Sequence, residues 1–568
     1  MAPQSTPQDG TQRPGVLSTD FLIIGAGPTG LMLAACLQRL GVRFLIADRK
    51  HGPTRESRAL ALQARSLEIY DQLGLVQRVL EQAAVAPAIA PGYRDHPFAT
   101  VNFGELGKGV TPFPGIHILE QSRNERLLVA ALEERGGSVL WGHELLGLAQ
   151  GEGGVTARLG TDDGEVRRVE ARYLVGADGA SSTVRELSGI PFEGVTNPDT
   201  FYVADARGVT GLVEDAVNLR FSADDFLLTF PQGAVGHHRL IGVVRTPDGE
   251  QVTEEETRRT VGCEFGVGYR DSSWFSTYRV HHRVAARFRA GRVFLAGDAA
   301  HVHSPVGAQG MNTGLQDAHG LACALADVLL RGSGDEQLDR YEVERRPVAL
   351  RLVRTTDRLF STITADSSLA RVIRAGFLPR LAPLLGRVLP RLARRAKLYE
   401  YVSQIRIHYW MSADARRRAR GRRGRLIGRR LAWNEDNFAA LRSLGWQIHV
   451  YGAADQASLA RMGEESGLPV HHFETVRNPR LMGGQAVAGA ARRVRSGRAE
   501  AACRRRGLGR AFHPRPDRQD SCSMDGLTAV TRRALTGSLN SPSPNRSVRS
   551  VVTDARSWSP SSGASSTR

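Results

Sequence analysis

Three short segments, far apart along the chain, hold residue types that can grip a large phosphorylated ligand. The first is Gly25-Ala26-Gly27-Pro28-Thr29-Gly30, with glycines at the spacing G-x-G-x-x-G. Gly25 permits a tight turn, Gly27 lets the backbone approach a pyrophosphate, and Gly30 allows a helix to pack closely on a strand. A helix opening at this turn offers unpaired N–H groups and a partial positive charge to phosphates. Asp48, next to Arg49, stands about 20 residues on, where a carboxylate accepts a hydrogen bond from a ribose hydroxyl. The second segment runs Gly176-Ala177-Asp178-Gly179-Ala180-Ser181-Ser182-Thr183-Val184-Arg185, a turn carrying an acid followed by a basic residue on a helix. The third runs Gly297-Asp298-Ala299-Ala300-His301 through Ser304-Pro305-Val306-Gly307-Ala308-Gln309-Gly310 into Met311-Asn312-Thr313-Gly314. There Asp298 can accept from a sugar-chain hydroxyl, glycines admit a flat ring, and a helix N-terminus can stabilise negative charge. His301 and His303 have no cysteine or carboxylate cluster beside them, so metal ligation is not expected. Taken alone, these chemistries reach as far as a dinucleotide, since flavin and nicotinamide cofactors use the same cradle.

The elements around them fit that task. Asp20–Ile24 is a short apolar run that reads as a buried strand, Leu31–Leu40 as a helix stopped by Gly41, and Val42–Ala47 as a second strand. Strands are also expected at Arg172–Val175 and Arg292–Ala296, immediately before the second and third segments. Between those two lie β-like runs such as Phe201–Ala204 and Leu240–Val244, read as a separate sheet. From about residue 315 to 410 leucines and arginines recur at helical spacing, Ala413–Arg425 is an arginine-rich linker, and 426–480 holds two further strand candidates.

Composition bounds the function. The 568 residues imply more than one domain, and the apolar content allows a sizeable core. No apolar run is long enough to span a membrane, and the polar N-terminal residues lack the core of a signal peptide. The five cysteines are scattered without a C-x-x-C pair, which fits a reducing, cytoplasmic setting and no disulfide framework. The formal net charge of +18 sits in the C-terminal third, while the first 350 residues carry more acids than bases. Nucleic acid is therefore not expected as a partner, since no recognition module accompanies the arginines.

In this order the three motifs resemble those of the group A flavoprotein aromatic hydroxylases, the para-hydroxybenzoate and phenol hydroxylase family, and most closely its actinobacterial members acting on aromatic polyketides. The resemblance covers about residues 19–410. It implies an α/β fold with a Rossmann-type FAD-binding domain (19–196 and 275–345) and an inserted substrate-binding β-sheet (197–274). A helical segment (346–412) and a truncated thioredoxin-like region (413–480) would follow, flanked by disordered tails at 1–18 and 481–568. By the same resemblance Gly25 to Gly30, Asp48 and Arg49 hold the ADP half of FAD, Arg58 contacts the pyrophosphate and Gln121 lies near the ribityl chain. Asp178 and Gly179 serve both FAD and a transient NADPH or NADH. Gly297 and Asp298 meet the ribityl chain. The Pro305 carbonyl lies near the oxygen-reactive flavin carbon, and Gly310, Met311 and Asn312 donate to the flavin pyrimidine edge. The chain departs from the family at Gly320, Cys323 and Ala324, where Asn, Trp and Lys are frequent, and at Ser304 and Ala308 in the loop.

The implied activity is hydroxylation of an aromatic, phenolic or polyketide molecule with O2 and a reduced nicotinamide, through a flavin C4a-hydroperoxide. Baeyer–Villiger insertion or epoxidation on the same scaffold, and a catalytically impaired FAD-binding protein, are the alternatives; a halogenase would carry a Trp-x-Trp-x-Ile-Pro stretch, which is absent. Tyr202, His237, His238 and Tyr278 are candidates in the sheet for a base acting on the substrate, each more readily explained as structural. A homodimer is compatible with the sequence. After Asn478 the composition turns abruptly to Arg, Ser and Pro, as in a tail translated out of frame or replaced by unrelated sequence.

Overall fold

The computed structural model describes residues 16–55, 59–222, 225–244, 252–303, 309–364, 398–407, 429–478 and 485–489. Its organising unit is the expected βαβ. Strand β1 (Val16–Ile24) leads into helix α1 (Pro28–Leu40) and returns as β2 (Phe44–Asp48), parallel to β1. Proline is tolerated at the helix start because the N–H it lacks would have no partner there. The helix ends where Gly41 adopts φ +76 and its N–H caps the carbonyl of Gln38. The Leu/Ala-rich interior of α1 is buried on all sides from Gly30 to Leu37, each leucine contributing ~1.5–3 kcal/mol by leaving water.

Helices α2 (Ala64–Leu73) and α3 (Gln121–Glu133) follow, then β3 (Val166–Gly176), the short α4 (Thr183–Leu187), β4 (Val293–Leu295), α5 (Gly310–Arg331) and α6 (Asp339–Thr364). Strands β1, β2, β3 and β4 are parallel neighbours in an eight-stranded sheet, with a hairpin (His143–Gly151 and Gly154–Thr161) on the outer half of β3. Their register decides where the motifs emerge. Ile24 stands opposite both Ala47 and Gly176, and Gly176 opposite Leu295. The turns after β1, β3 and β4 and the acid ending β2 therefore leave one edge of the sheet side by side, the usual place for a ligand in an open parallel sheet.

A second, nine-stranded sheet is mostly antiparallel. It draws strands from well outside 197–274. Phe192–Arg207 pairs with Asp271–Ala285 and His238–Val244, Ala88–Tyr93 joins parallel to Ala216–Phe221, and His301–Val302 closes one edge. Pairing between segments that distant has no local turn signal in the sequence. Its side chains alternate in the strand period. Phe201, Val203, Phe226, Leu228, Ile241 and Val243 form one apolar cluster with Ala61, Ala64, Ile116 and Ile118, whereas Tyr202, Ala204, Leu227 and Leu240 pack on the helix Glu254–Phe265.

In the C-terminal region β5 (Gln447–Tyr451) pairs in parallel with Val470–Phe473 across the helix Gln456–Ser466, capped by the Asp455 side chain. Gln485–Gly489 pairs antiparallel with β5, so the sheet extends past residue 480 into the segment expected to be disordered. The remainder of that tail, the linker 413–425 and most of the N-terminal tail lie outside the described residues. Two ion pairs fasten this region to α2: Arg430 Nε donates to the buried Glu68 at 2.8 Å, and the exposed Arg442 donates to Asp71 at 2.8 Å.

Candidate functional site

The glycine turn is shaped by contacts that exclude side chains at two of its glycines and leave the third open. Gly25 has φ +105, and a Cβ there would lie 2.3 Å from the Ala177 carbonyl oxygen; at Gly30 it would lie 1.9 Å from that of Gly25. At Gly27 a Cβ would meet nothing within 4 Å. The protein thus needs no glycine at position 27 for its own packing, and the open space above it suits a ligand whose phosphates approach the backbone. Thr29 is wedged at the base of the turn: a Cβ on Gly297 or Gly314 would come within 2.4 or 2.3 Å of its Oγ1. Thr29 therefore seats α1 against both the third motif and α5.

Asp48 does more than the sequence indicates. Its Oδ2 accepts the Ala26 N–H at 2.6 Å and its Oδ1 the Lys50 N–H at 2.9 Å, so the buried carboxylate fixes the glycine turn to the end of β2. Each oxygen keeps acceptor capacity for a ribose hydroxyl. Beside it opens a cleft of about 600 Å³ with Arg49, Lys50, Gly142, Glu144 and Asp162 on its walls. Arg49 itself is exposed. Arg58 lies outside the described residues, but the loop leading to it is anchored. The Thr54 N–H donates to Glu125 Oε2 at 2.7 Å, and Gln121 Nε2 donates to the other oxygen of that carboxylate at 2.9 Å. Glu125 is fully buried on α3 and was not singled out from the sequence, where it looks like any acid on a helix.

In the second motif the Asp178 side chain turns toward α4. It accepts from Ser182 Oγ at 2.6 Å and from the Val184 N–H at 3.1 Å, while Gly179, at φ +84, faces open space. Burial raises the Asp178 pKa, opposed by those hydrogen bonds. Arg185 joins the second motif to the third, donating to the Ala180 carbonyl at 2.9 Å and the Ala299 carbonyl at 3.1 Å.

Asp298 lies past the end of its strand, in a single 3-10 turn (Gly297–Ala299) set by Gly297 at φ +61. Its side chain is exposed, and the protein groups packed around it raise its pKa by desolvation. Below the turn is a network the sequence did not reveal. Asp317 on α5 accepts from His301 Nε2 at 2.7 Å, the Gly297 N–H at 3.2 Å and Arg345 Nε at 2.6 Å, all within the interior. Burial alone would raise the Asp317 pKa, but Arg345 and His301 outweigh it and hold the carboxyl below its ordinary value. His301 is thus committed to Asp317, and among the described residues no group of three or more His, Cys, Asp or Glu could hold a metal.

Pro305, Ser304 and Ala308 lie outside the described residues. Gly310, Met311 and Asn312 form the first turn of α5, where N–H groups have no carbonyl of their own helix to bond. The Asn312 side chain is structural: Oδ1 accepts the Gln63 N–H at 2.8 Å and Nδ2 donates to the Ala61 carbonyl at 2.8 Å. Gly320, Cys323 and Ala324 are buried in α5, and α1 and α5 pack along their length without the larger residues frequent there.

Of the four candidates for a base, Tyr278 alone faces the cluster that includes Ala61 and Ala64, stacked on Phe201 at 5.7 Å. Tyr202 faces the opposite side, buried against the helix Glu254–Phe265, which raises its pKa far beyond the phenol range. His237 and His238 lie at the hairpin after Pro231, at the end of the sheet remote from His301–Val302. Burial, with a smaller contribution from His237, pushes His238 down to about 4.

Residues 18–356 match the family described as FAD binding domain. The 6-methylpretetramide 4-monooxygenase of Streptomyces rimosus is 35% identical over 399 residues, covering 68% of this chain and 69% of that protein. A rifampicin monooxygenase of Streptomyces venezuelae is 34% identical over 62% of this chain and 74% of its own. Among solved structures, the OxyS anhydrotetracycline hydroxylase from Streptomyces rimosus superposes with a TM-score of 0.66 at 29% identity, covering 84% of this chain and 95% of that one. With three motifs at one sheet edge and a glycine cradle open to a ligand, the chain belongs to the FAD binding domain family and is an FAD-dependent monooxygenase.

Proposed function

We propose that the chain hydroxylates an aromatic small molecule, polyketide or phenolic, using O2 and NADPH or NADH. One observation carries the substrate class. The apolar, aromatic face of the second sheet, with Phe201, Phe226 and Tyr278, shares a cluster with Ala61 and Ala64, and Asn312 at the start of α5 is bonded to Ala61. A flat apolar ring lying on that face would be next to the end of α5 assigned to the flavin. Bound FAD supplies the oxygen-activating chemistry; the protein orients both rings and keeps water out.

In this reading Gly25, Ala26, Gly27, Pro28, Thr29 and Gly30 cradle the pyrophosphate with Arg58, and Asp48 takes the ribose at the cleft bordered by Arg49. Gln121, Gly297 and Asp298 meet the ribityl chain, and Asp178 with Gly179 lies where cofactor and nicotinamide meet. The N–H groups of Gly310, Met311 and Asn312 face the pyrimidine edge, where the α5 N-terminus favours negative charge on the reduced ring. The Pro305 carbonyl is assigned to the face where oxygen reacts. The second sheet forms the substrate domain, and 413–480 with its added strand is read as a partial thioredoxin-like unit without redox cysteines. No helix of the described residues is long and apolar enough to cross a membrane, and a cytoplasmic location is the accompanying proposal.

The test is oxidation of NAD(P)H by the FAD-loaded protein with candidate polycyclic phenols under heavy-isotope O2. The expected product is the substrate with one oxygen atom from O2 on a ring carbon. Insertion beside a ketone or across an alkene would instead establish one of the alternative oxygenations. Nicotinamide oxidation that no aromatic compound stimulates would favour an impaired FAD-binding protein.

A further inference from the structure

A short stretch from far along the chain closes over the start of α5. Residues 398–407 lie against the FAD-binding domain and dock at three points. The Tyr399 ring packs on Phe103 at 4.8 Å between centroids, and its hydroxyl donates to the Phe113 carbonyl at 3.3 Å. Gly107 makes room for that ring, since a Cβ there would lie 2.5 Å from Tyr399 Cζ. The Ser403 carbonyl accepts the Arg65 N–H at 3.3 Å. The third point is Gln404. It is 2% exposed and has φ +58, a conformation non-glycine residues keep only where their surroundings fix them.

The Gln404 amide is spent entirely on one target. Its Nε2 donates to Thr313 Oγ1 at 3.0 Å and reaches the Gln309 carbonyl at 3.4 Å, and its Oε1 accepts from Gln316 Nε2. Gln309 is the residue before α5, and its carbonyl also accepts from the Thr313 N–H and hydroxyl, both at 2.9 Å. Gln404 therefore brackets the first turn of the helix, Gly310 to Asn312, from behind. That turn must keep its N–H groups aimed outward if they are to meet a ring edge; Gly310 has no side chain to hold it, Asn312 ties it to Ala61 and Gln63, and Gln404 adds a second anchor at Gln309 and Thr313.

We propose that Gln404 is a positioning residue for the flavin, holding the α5 N-terminus in the orientation that receives the pyrimidine edge. The inference rests on the proposed placement of the flavin at that helix. Its consequence is that a segment outside the nucleotide-binding fold sets how tightly FAD is held and how readily it is reduced, because a misaligned N-terminus gives less stabilisation to the anionic ring.

The experiment compares Gln404→Met, Thr313→Val and Tyr399→Phe in the full chain, reading FAD affinity by reconstitution, the visible flavin spectrum and the midpoint potential. Gln404→Met is expected to weaken FAD about tenfold, equivalent to ~1.4 kcal/mol, to shift the flavin bands and to lower the potential. Thr313→Val is expected to reproduce part of this, and the double variant to fall short of the sum because both act through one turn. Tyr399→Phe, which loosens the same segment elsewhere, is expected to leave all three readouts at wild-type values. Wild-type affinity, spectrum and potential in Gln404→Met would overturn the proposal, as would an equal loss in Tyr399→Phe, which would trace the effect to general docking. If Gln404→Met does not fold, a Thr313→Val without effect overturns it. Should Asp298→Ala keep full FAD affinity, the placement of the flavin fails; should it lose FAD while Gln404→Met does not, this inference alone fails.

Discussion

Replacing Asp317 by asparagine tests whether the Gly297–Asp298 turn depends on charge buried beneath it. The carboxylate is inaccessible to water, as is nearly all of Arg345, whose Nε lies 2.6 Å from Oδ1. An asparagine side chain would keep the shape but leave the guanidinium without its counter-charge, and breaking a buried pair from one side costs ~3–5 kcal/mol. Domains of ordinary stability have ~5–15 kcal/mol in all, so the change is a large fraction. Urea unfolding of the FAD-loaded protein, followed by tryptophan fluorescence, should show a lower midpoint with an unchanged slope. Arg345→Met should cost a similar amount. The double variant should cost no more than either single, because it leaves neither charge of the pair buried without its partner. The sign with pH follows from the depressed Asp317 pKa. Its contribution is full above the unfolded carboxyl value of ~3.9 and is lost as pH falls through the lower folded value. The gap between wild type and Asp317→Asn should therefore be constant near neutrality and shrink only in that acid range. A loss below ~1 kcal/mol in both single variants, against the ~3–5 expected for a buried pair, would refute the reasoning.

Other substitutions separate packing from ligand binding. Gly27→Ala should leave apoprotein stability unchanged, since a Cβ there meets no protein atom within 4 Å, yet weaken FAD in a fluorescence titration. Gly25→Ala should destabilise the apoprotein itself by more than ~1 kcal/mol, from a positive φ and a clash with Ala177, read by thermal unfolding. Arg430→Met should leave the buried Glu68 short of a cation and free the C-terminal region, detected as faster cleavage near residue 430 in limited proteolysis. Asp178→Ala should remove the acceptor of the Val184 N–H, leaving the Ser182 cap of α4 in place, at a cost of ~1 kcal/mol, and slow reduction by NAD(P)H more than it weakens FAD, measured by stopped-flow absorbance.

The sequence is explicit where chemistry demands particular residue types close together. The turn at Gly25–Gly30, the acid at Asp48 and the strand before Gly297 could be read because glycine and aspartate at those spacings serve backbone geometry and phosphate or hydroxyl contacts. Registers Ile24 to Gly176 and Gly176 to Leu295 then place the motifs together, as the βαβ pattern implied. What could not be read is the support. Asp317 and Arg345, Glu125 and Thr54, and Gln404 with Thr313 are ordinary polar residues on helices or loops, joined only when segments up to 91 residues apart come together. The second sheet was bounded too narrowly for the same reason: Ala88–Tyr93 enters it by pairing with Ala216–Phe221, with no turn between them to announce it. The strand Gln485–Gly489 was missed because its Arg- and Gly-rich surroundings mask a short small-residue run that gains stability by pairing with β5.

We infer that three distant segments form one FAD site with Asp298 facing the cofactor. Titration of deflavinated wild type and Asp298→Ala with FAD, followed by flavin fluorescence, tests it most directly. One tightly held FAD per wild-type chain and a severe loss of affinity in Asp298→Ala are expected. Equal occupancy and affinity in the two proteins would contradict it.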